Sequence, residues 1–176
     1  MGLKIGTVRL EKHNSVWKIE FEREKEKLRE IFNDYAISIE HVGSTSVPKI
    51  SAKPIIDIAV GVNNLKNVSV IKEMFSNHSD YSLKENSEDG EILVVKRLRE
   101  DYTTHLIHIM ELNSDRYKDT ILFRDYLINF SKERNEYEKL KTELASKYSD
   151  DRKSYTRSKN KFISEVLNKA RKKTNK

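Results

Sequence analysis

One carboxylate sits alone in an apolar run, Ile55-Ile56-Asp57-Ile58-Ala59-Val60. Burying a carboxylate costs several kcal/mol unless it is paired or holds a cation. Asp57 is therefore a candidate catalytic and metal-binding residue, with Lys53 or a metal ion as its partner. The structural alternative is that it caps a loop or meets a core arginine. Upstream lies Gly43-Ser44-Thr45-Ser46. Glycine can take positive φ and lets a ligand approach its backbone. The three hydroxyls and the backbone N–H groups that follow can hold an anion. Carboxylate, hydroxyl-lined turn and the intervening Lys53 are the parts of a phosphate site.

Two further places carry chemistry-bearing side chains. In Thr104-His105-Leu106-Ile107-His108-Ile109-Met110-Glu111, strand alternation sends His105 and Glu111 to one face and Thr104 and His108 to the other. The two histidines should not chelate one ion together, which argues against a two-histidine zinc site. A lone histidine is easily satisfied inside a fold, so a structural role competes with a functional one for each. Near the end, Lys159 follows Tyr155 by one helical turn, so the two share a face. If that face meets the cleft, Lys159 and Arg124 can bind phosphate, Arg124 with the better fork geometry. Ordinary surface charge is the competing reading.

The elements that must position these groups follow from pattern. Residues 36–42 and 55–60 read as strands on either side of the Gly43 turn. Trp17, Phe21, Leu28, Ile31 and Phe32 recur at helical spacing, in a helix capped by Asn14 or Ser15 and running to Phe32. Residues 8–10 suggest a short strand. Residues 65–77 suggest a helix with Leu65, Val68, Ile71, Met74 and Phe75 inward, capped at Asn63-Asn64. Strands are expected at 81–83, 92–98 and 103–112, with a hairpin loop at 86–90 and a turn at Glu100-Asp101. From residue 113 onward there is no glycine or proline, and helix formers dominate. Three helices are expected there, ending near residues 130, 148 and 172, with the last residues frayed. The fold class is α+β: a core over 1–112 and a three-helix segment over 113–176 packed on it.

Composition limits the function classes. The chain has 176 residues, enough for one ordinary core. Its 34 basic and 28 acidic residues leave a net charge of +6, which suits a solvated mixed-charge surface and does not require a polyanionic partner. There is no cysteine, which excludes disulfides, thiolate metal sites and a cysteine nucleophile. No apolar run approaches the ~18 residues of a membrane span, and the start lacks an apolar signal core. A cytoplasmic protein is expected, with no membrane partner. A nucleic-acid partner is disfavoured, because the aromatics lie on core stripes and leave no stacking platform.

The stretch HVGSTSVPKISAKPIIDI resembles the signature of the GrpB family, whose members are similar to the nucleotidyltransferase superfamily with its polymerase-β-like fold. Trp17 and Phe21, the segment ILFRDYL and Tyr155-Thr156-x-x-Lys159 resemble the family too, so the likeness runs from about residue 8 to 170. In that superfamily a Gly-Ser turn holds a nucleoside triphosphate, and an Asp-x-Asp pair on the next strand holds divalent metal. The resemblance implies a mixed nucleotidyltransferase-like sheet, with a nucleotide at Gly43, Ser44 and Thr45 and Mg²⁺ at Asp57. Lys53, Arg124 and Lys159 would neutralise the leaving pyrophosphate. Ala59 stands where the second acid would be; Glu40 or Glu111 is the candidate to fill that gap. The histidine-rich strand corresponds to the region that supplies a third acid, which gives His108 the role of ligand or proton acceptor. The alternative is an inactive nucleotide or cofactor module, because GrpB-like segments also occur fused to an enzyme of coenzyme A synthesis.

Overall fold

The structure is a computed structural model that describes residues 1–84 and 90–174. Its centre is a mixed six-stranded sheet. In chain order the strands are β1 (Leu3–Lys4), β2 (Ala36–Val42), β3 (Ile56–Val62), β4 (Tyr81–Leu83), β5 (Glu91–Arg99) and β6 (Tyr102–Glu111). The spatial order is β2-β3-β6-β5-β4, with β1 paired to the start of β6. Neighbours run antiparallel except β3 and β6, which are parallel. The two parallel strands are central and buried on both faces, which explains their Ile- and Val-rich sequences.

One face of the sheet is covered by α1 (Val16–Phe32) and α2 (Val68–Met74). Trp17, Phe21, Leu28 and Phe32 from α1 meet Ile58, Val60, Ile107 and Ile109 there. Each such side chain contributes roughly 1.5–3 kcal/mol by leaving water. The other face carries α3 (Asp115–Asn129), whose Tyr117 packs on Val42, Ala59 and Met110. Beyond it lie α4 (Ser131–Lys147), α5 (Arg152–Arg157) and α6 (Asn160–Thr174). Val47 and Ile50, from the loop after the Gly43 turn, enter the core of these helices beside Tyr126, Tyr137 and Val166. The fold is thus α+β, a sheet between two helical layers. Among the described residues no helix is long and apolar enough to cross a membrane.

Several local expectations shift. Residues 8–10 form no strand: Val8 N–H donates to Ser149 O, and the isolated bridge nearby joins Glu11 to Ala52. The helix expected over 65–77 starts at Val68, because Asn67 accepts from Val70 N–H at 3.1 Å and caps it; Val68 itself is exposed. The last helix divides into α5 and α6 at Ser158 and Lys159, where Lys159 N–H turns back to Thr156 O. β5 begins at Glu91, one residue earlier than its apolar run suggests. Most of the hairpin loop expected at 86–90, and the final two residues, lie outside the described residues.

Candidate functional site

The site is built on the junction of β2, β3 and β6. Antiparallel register sets Val42, the last residue of β2, opposite Asp57. The next residue, Gly43, takes φ 68° and opens a short 3₁₀ turn, Ser44–Ser46. A Cβ on Gly43 would stand 2.3 Å from Asp57 Oδ2, so the carboxylate lies directly against the backbone of the turn. The Asp57 side chain is 31% exposed and remains open to solvent. The acid and the hydroxyl-lined turn do face each other. Of the three hydroxyls, Ser46 donates to Gly43 O at 2.7 Å, and buried Thr45 lies 2.9 Å from His41 Nε2. Ser44 makes no side-chain hydrogen bond to any described residue.

β6 adds His108, which pairs with Ala59 and so shares the face of Asp57. His108 Nε2 lies 3.7 Å from Asp57 Oδ1, and Nδ1 lies 2.6 Å from Glu91 Oε1. Glu91 comes from β5, is buried, and is also paired with Arg116 of α3. Four residues on four elements therefore form a chain, Asp57, His108, Glu91, Arg116. Burial opposes the imidazolium charge, but hydrogen bonding and the fields of the two carboxylates outweigh it and push His108 up to about 9. Burial likewise raises Asp57, and the His108 proton and charge, with Lys53 and Arg152, more than reverse this and hold it below its ordinary range. At neutral pH His108 is a cation that keeps Asp57 ionised. The resemblance implied a ligand or proton acceptor at this place; the arrangement here favours a proton on His108 held between Asp57 and Glu91.

His105 lies on the opposite face against α1, buried, with Nδ1 3.0 Å from Thr104 Oγ1. Burial pushes it down to about 4, so it is a neutral core histidine. Glu111 pairs with Val62 on that same far face, and its carboxylate accepts from Leu65 N–H at 3.0 Å. It does not replace the missing acid. Glu40 does stand opposite Ala59, on the Asp57 face. Its carboxylate, however, is paired with Arg124 at 2.8 Å. Arg124 also donates to Asp125 at 2.8 Å and to His41 O at 3.0 Å. Arg124 thus ties α3 to β2 through its Nε and Nη1 donors.

Three other cations have no such acceptors. Lys53 precedes β3, Arg152 opens α5, and Lys159 lies in the turn before α6. Among the described residues none of the three makes an ion pair or a side-chain hydrogen bond. Lys53 Nζ lies 5.4 Å and Lys159 Nζ 4.7 Å from the ring centre of buried Tyr155. Burial, with Arg152 and Lys159 close by, pushes the Lys53 ammonium down to about 7. The field of Asp57 reaches both Lys53 and Arg152.

Glu91, Arg116 and Arg152 escaped the sequence reading. Glu91 had a usable signal: it alternates with Leu93 and Val95 along β5, an acid on an inward face just like Asp57. Arg152 had none, being one basic residue in a charged helical run. A separate groove of about 570 Å³ opens between α3 and α6, near Ile121, Leu122 and Arg171; none of the predicted site residues lines it.

Among the described residues no group of three or more His, Asp or Glu side chains forms a metal cage. The donor set itself says how Mg²⁺ would fit. Asp57 offers oxygen, His108 is protonated, and Glu91 is committed to His108 and Arg116. Magnesium accepts one or two protein carboxylates when phosphate and water complete its shell. These residues suit an ion carried by a phosphate ligand, not a resident one.

A model of the family described as GrpB protein matches residues 7–169. The glutamate-rich protein GrpB of Alkalihalophilus pseudofirmus is 39% identical over 171 residues, covering 96% of this chain and 98% of that protein. The YqkA protein of Bacillus subtilis is 33% identical over 151 residues, 86% of this chain but 43% of that longer protein. Among solved structures, the conserved protein GrpB from Enterococcus faecalis superposes with a TM-score of 0.84 at 29% identity, covering 96% of this chain and 100% of the other.

Proposed function

The chain belongs to the GrpB family, and from that premise we propose that it binds a nucleoside triphosphate or related phosphorylated ligand, with Mg²⁺, between the Gly43-Ser44 turn and Asp57. The reading places it among nucleotidyltransferase-like proteins of the cytoplasm. The single observation that carries it is the ionised, solvent-open Asp57 lying against a glycine turn with a free hydroxyl, among unpaired cations.

In this reading the Ser44 hydroxyl and the N–H groups of the turn hold phosphate oxygens. Asp57 orients the phosphate group, and would give one oxygen to magnesium, which supplies charge neutralisation on the phosphates. His108 holds Asp57 in its charged form and in place. Lys53 and Lys159 offset charge on a leaving pyrophosphate, since such transfers rest on positioning and electrostatics. Arg124 holds the turn through Glu40 and the end of β2, and its Nη2 is left to reach a phosphate oxygen. The second reading, a binding module without transfer, for instance for a coenzyme A-related ligand, is favoured by Ala59 in place of a second acid.

Calorimetry with ATP, with and without Mg²⁺, tests binding. Release of pyrophosphate on adding hydroxyl acceptors separates transferase from module. Wild-type binding that persists undiminished in a folded Asp57→Ala protein would remove the metal assignment.

A further inference from the structure

The fold fixes like charges beside one another. Ser51 is gripped by α4: its N–H donates to Glu138 at 2.9 Å, and its carbonyl accepts from the fully buried Lys141. Lys53 leaves that clamp two residues later. Arg152 is held from the other side. Its N–H donates to the carbonyl of Gly6, and Val8 N–H reaches Ser149 O in the approach to α5. Gly6 itself takes φ 87°, in the left-handed region that favours glycine. Lys159 is set over the Tyr155 ring one turn on.

Lys53 and Arg152 therefore sit on backbones pinned by other elements, and Lys159 beside them on a buried ring. Asp57 is the acid whose field reaches Lys53 and Arg152, and it is already paired with His108. Burial and the nearness of Arg152 and Lys159 hold the Lys53 ammonium down to about 7, a cost that packing alone does not explain.

We propose that Lys53, Arg152 and Lys159 form a preorganised seat for a polyphosphate group carrying two or more phosphates, with Arg152 as its forked donor. This rests on the phosphorylated-ligand reading above and deepens it. A monophosphate brings too little charge to protonate Lys53 and match all three groups, whereas a diphosphate or triphosphate does. Arg152 binds through its planar fork, Lys53 and Lys159 as point charges. The N-terminal arm and the C-terminal helices thus both take part in binding, although neither carries the glycine turn.

The test is calorimetry of the full chain with inorganic triphosphate, ATP and AMP. The proteins are wild type, Arg152→Ala, Arg152→Lys, Lys53→Met and, as a charge control, Lys139→Ala. Circular dichroism confirms that each is folded. The expected result is a loss of about tenfold or more in affinity for triphosphate and ATP in Arg152→Ala and Lys53→Met. Arg152→Lys should recover part of the loss, AMP should be little affected, and Lys139→Ala should match wild type. Binding of triphosphate but not ATP by wild type would sink the nucleotide reading and leave the seat standing. Binding of ATP unaffected by Arg152→Ala and Lys53→Met would do the reverse. If Lys139→Ala weakens triphosphate as much as Arg152→Ala does, the binding is diffuse surface attraction and the seat is refuted.

Discussion

Glu91→Gln is the sharpest perturbation of the Asp57, His108, Glu91, Arg116 chain. His108 is held up to about 9 against an ordinary value of 6.5, and its side chain is 26% exposed. That difference corresponds to about 3 kcal/mol, at ~1.36 kcal/mol per unit. The sign is fixed by the direction of the shift. The folded state holds the proton more tightly, so the contribution is complete below pH 6.5 and is lost as pH rises through 9. Glu91→Gln removes one of the two carboxylates that raise the imidazole. His108 should then titrate roughly 1–2 units lower. The stability gap between wild type and variant should shrink by about 2 kcal/mol between pH 6 and pH 9.5, while the loss of the Arg116 pair is the same at both. NMR titration of the His108 ring, with urea unfolding at the two pH values in metal-free buffer, measures both. A wild-type His108 titrating near 6.5, or a gap that does not change with pH, would refute the reasoning.

Other perturbations act on neighbouring parts. Gly43→Ala should cost about 2–4 kcal/mol in urea unfolding and abolish ligand binding, since the new Cβ meets Asp57 Oδ2 at 2.3 Å and the residue needs φ 68°. Lys141→Met should cost roughly 3 kcal/mol by the same assay, because it strips a fully buried ammonium from Ser51 O and Glu138. Leu28→Ala, at the centre of the α1 face, should cost about 2–5 kcal/mol without changing the His108 titration. Lys53 sits near 7 when unliganded, so polyphosphate binding at pH 8 should take up close to one proton, seen as a buffer-dependent heat that Lys53→Met abolishes.

Much of the architecture was legible from periodicity. The α1 stripe, the two strands flanking Gly43 and the alternation that separates His105 from His108 are all local patterns, and all appear in the structure. The pairing of Asp57 with the turn was legible because both lie at the ends of adjacent antiparallel strands. What the chain could not reveal was partnership across long separations. Glu91 reaches His108 only because β5 lies beside β6, and Arg124 finds Glu40 across 84 positions. Strand parity alone could not choose between Glu40 and Glu111; pairing with β3 put one opposite Ala59 and the other on the far face. Arg152 looked like any solvated helix charge until the arm bearing Gly6 pinned it.

The grip of α4 on the Ser51 peptide has a consequence for shortened versions of the chain. A protein stopped after β6 would keep the residues of every strand but bare the sheet face that Tyr117 of α3 covers at Val42, Ala59 and Met110, and Glu91 would lose Arg116. Val47 and Ile50 would lose their apolar cover, Ser51 would lose the two side chains that hold it, and Lys53 would swing on a loose tether. Such a fragment should be deaf to phosphate even where its strands still pair.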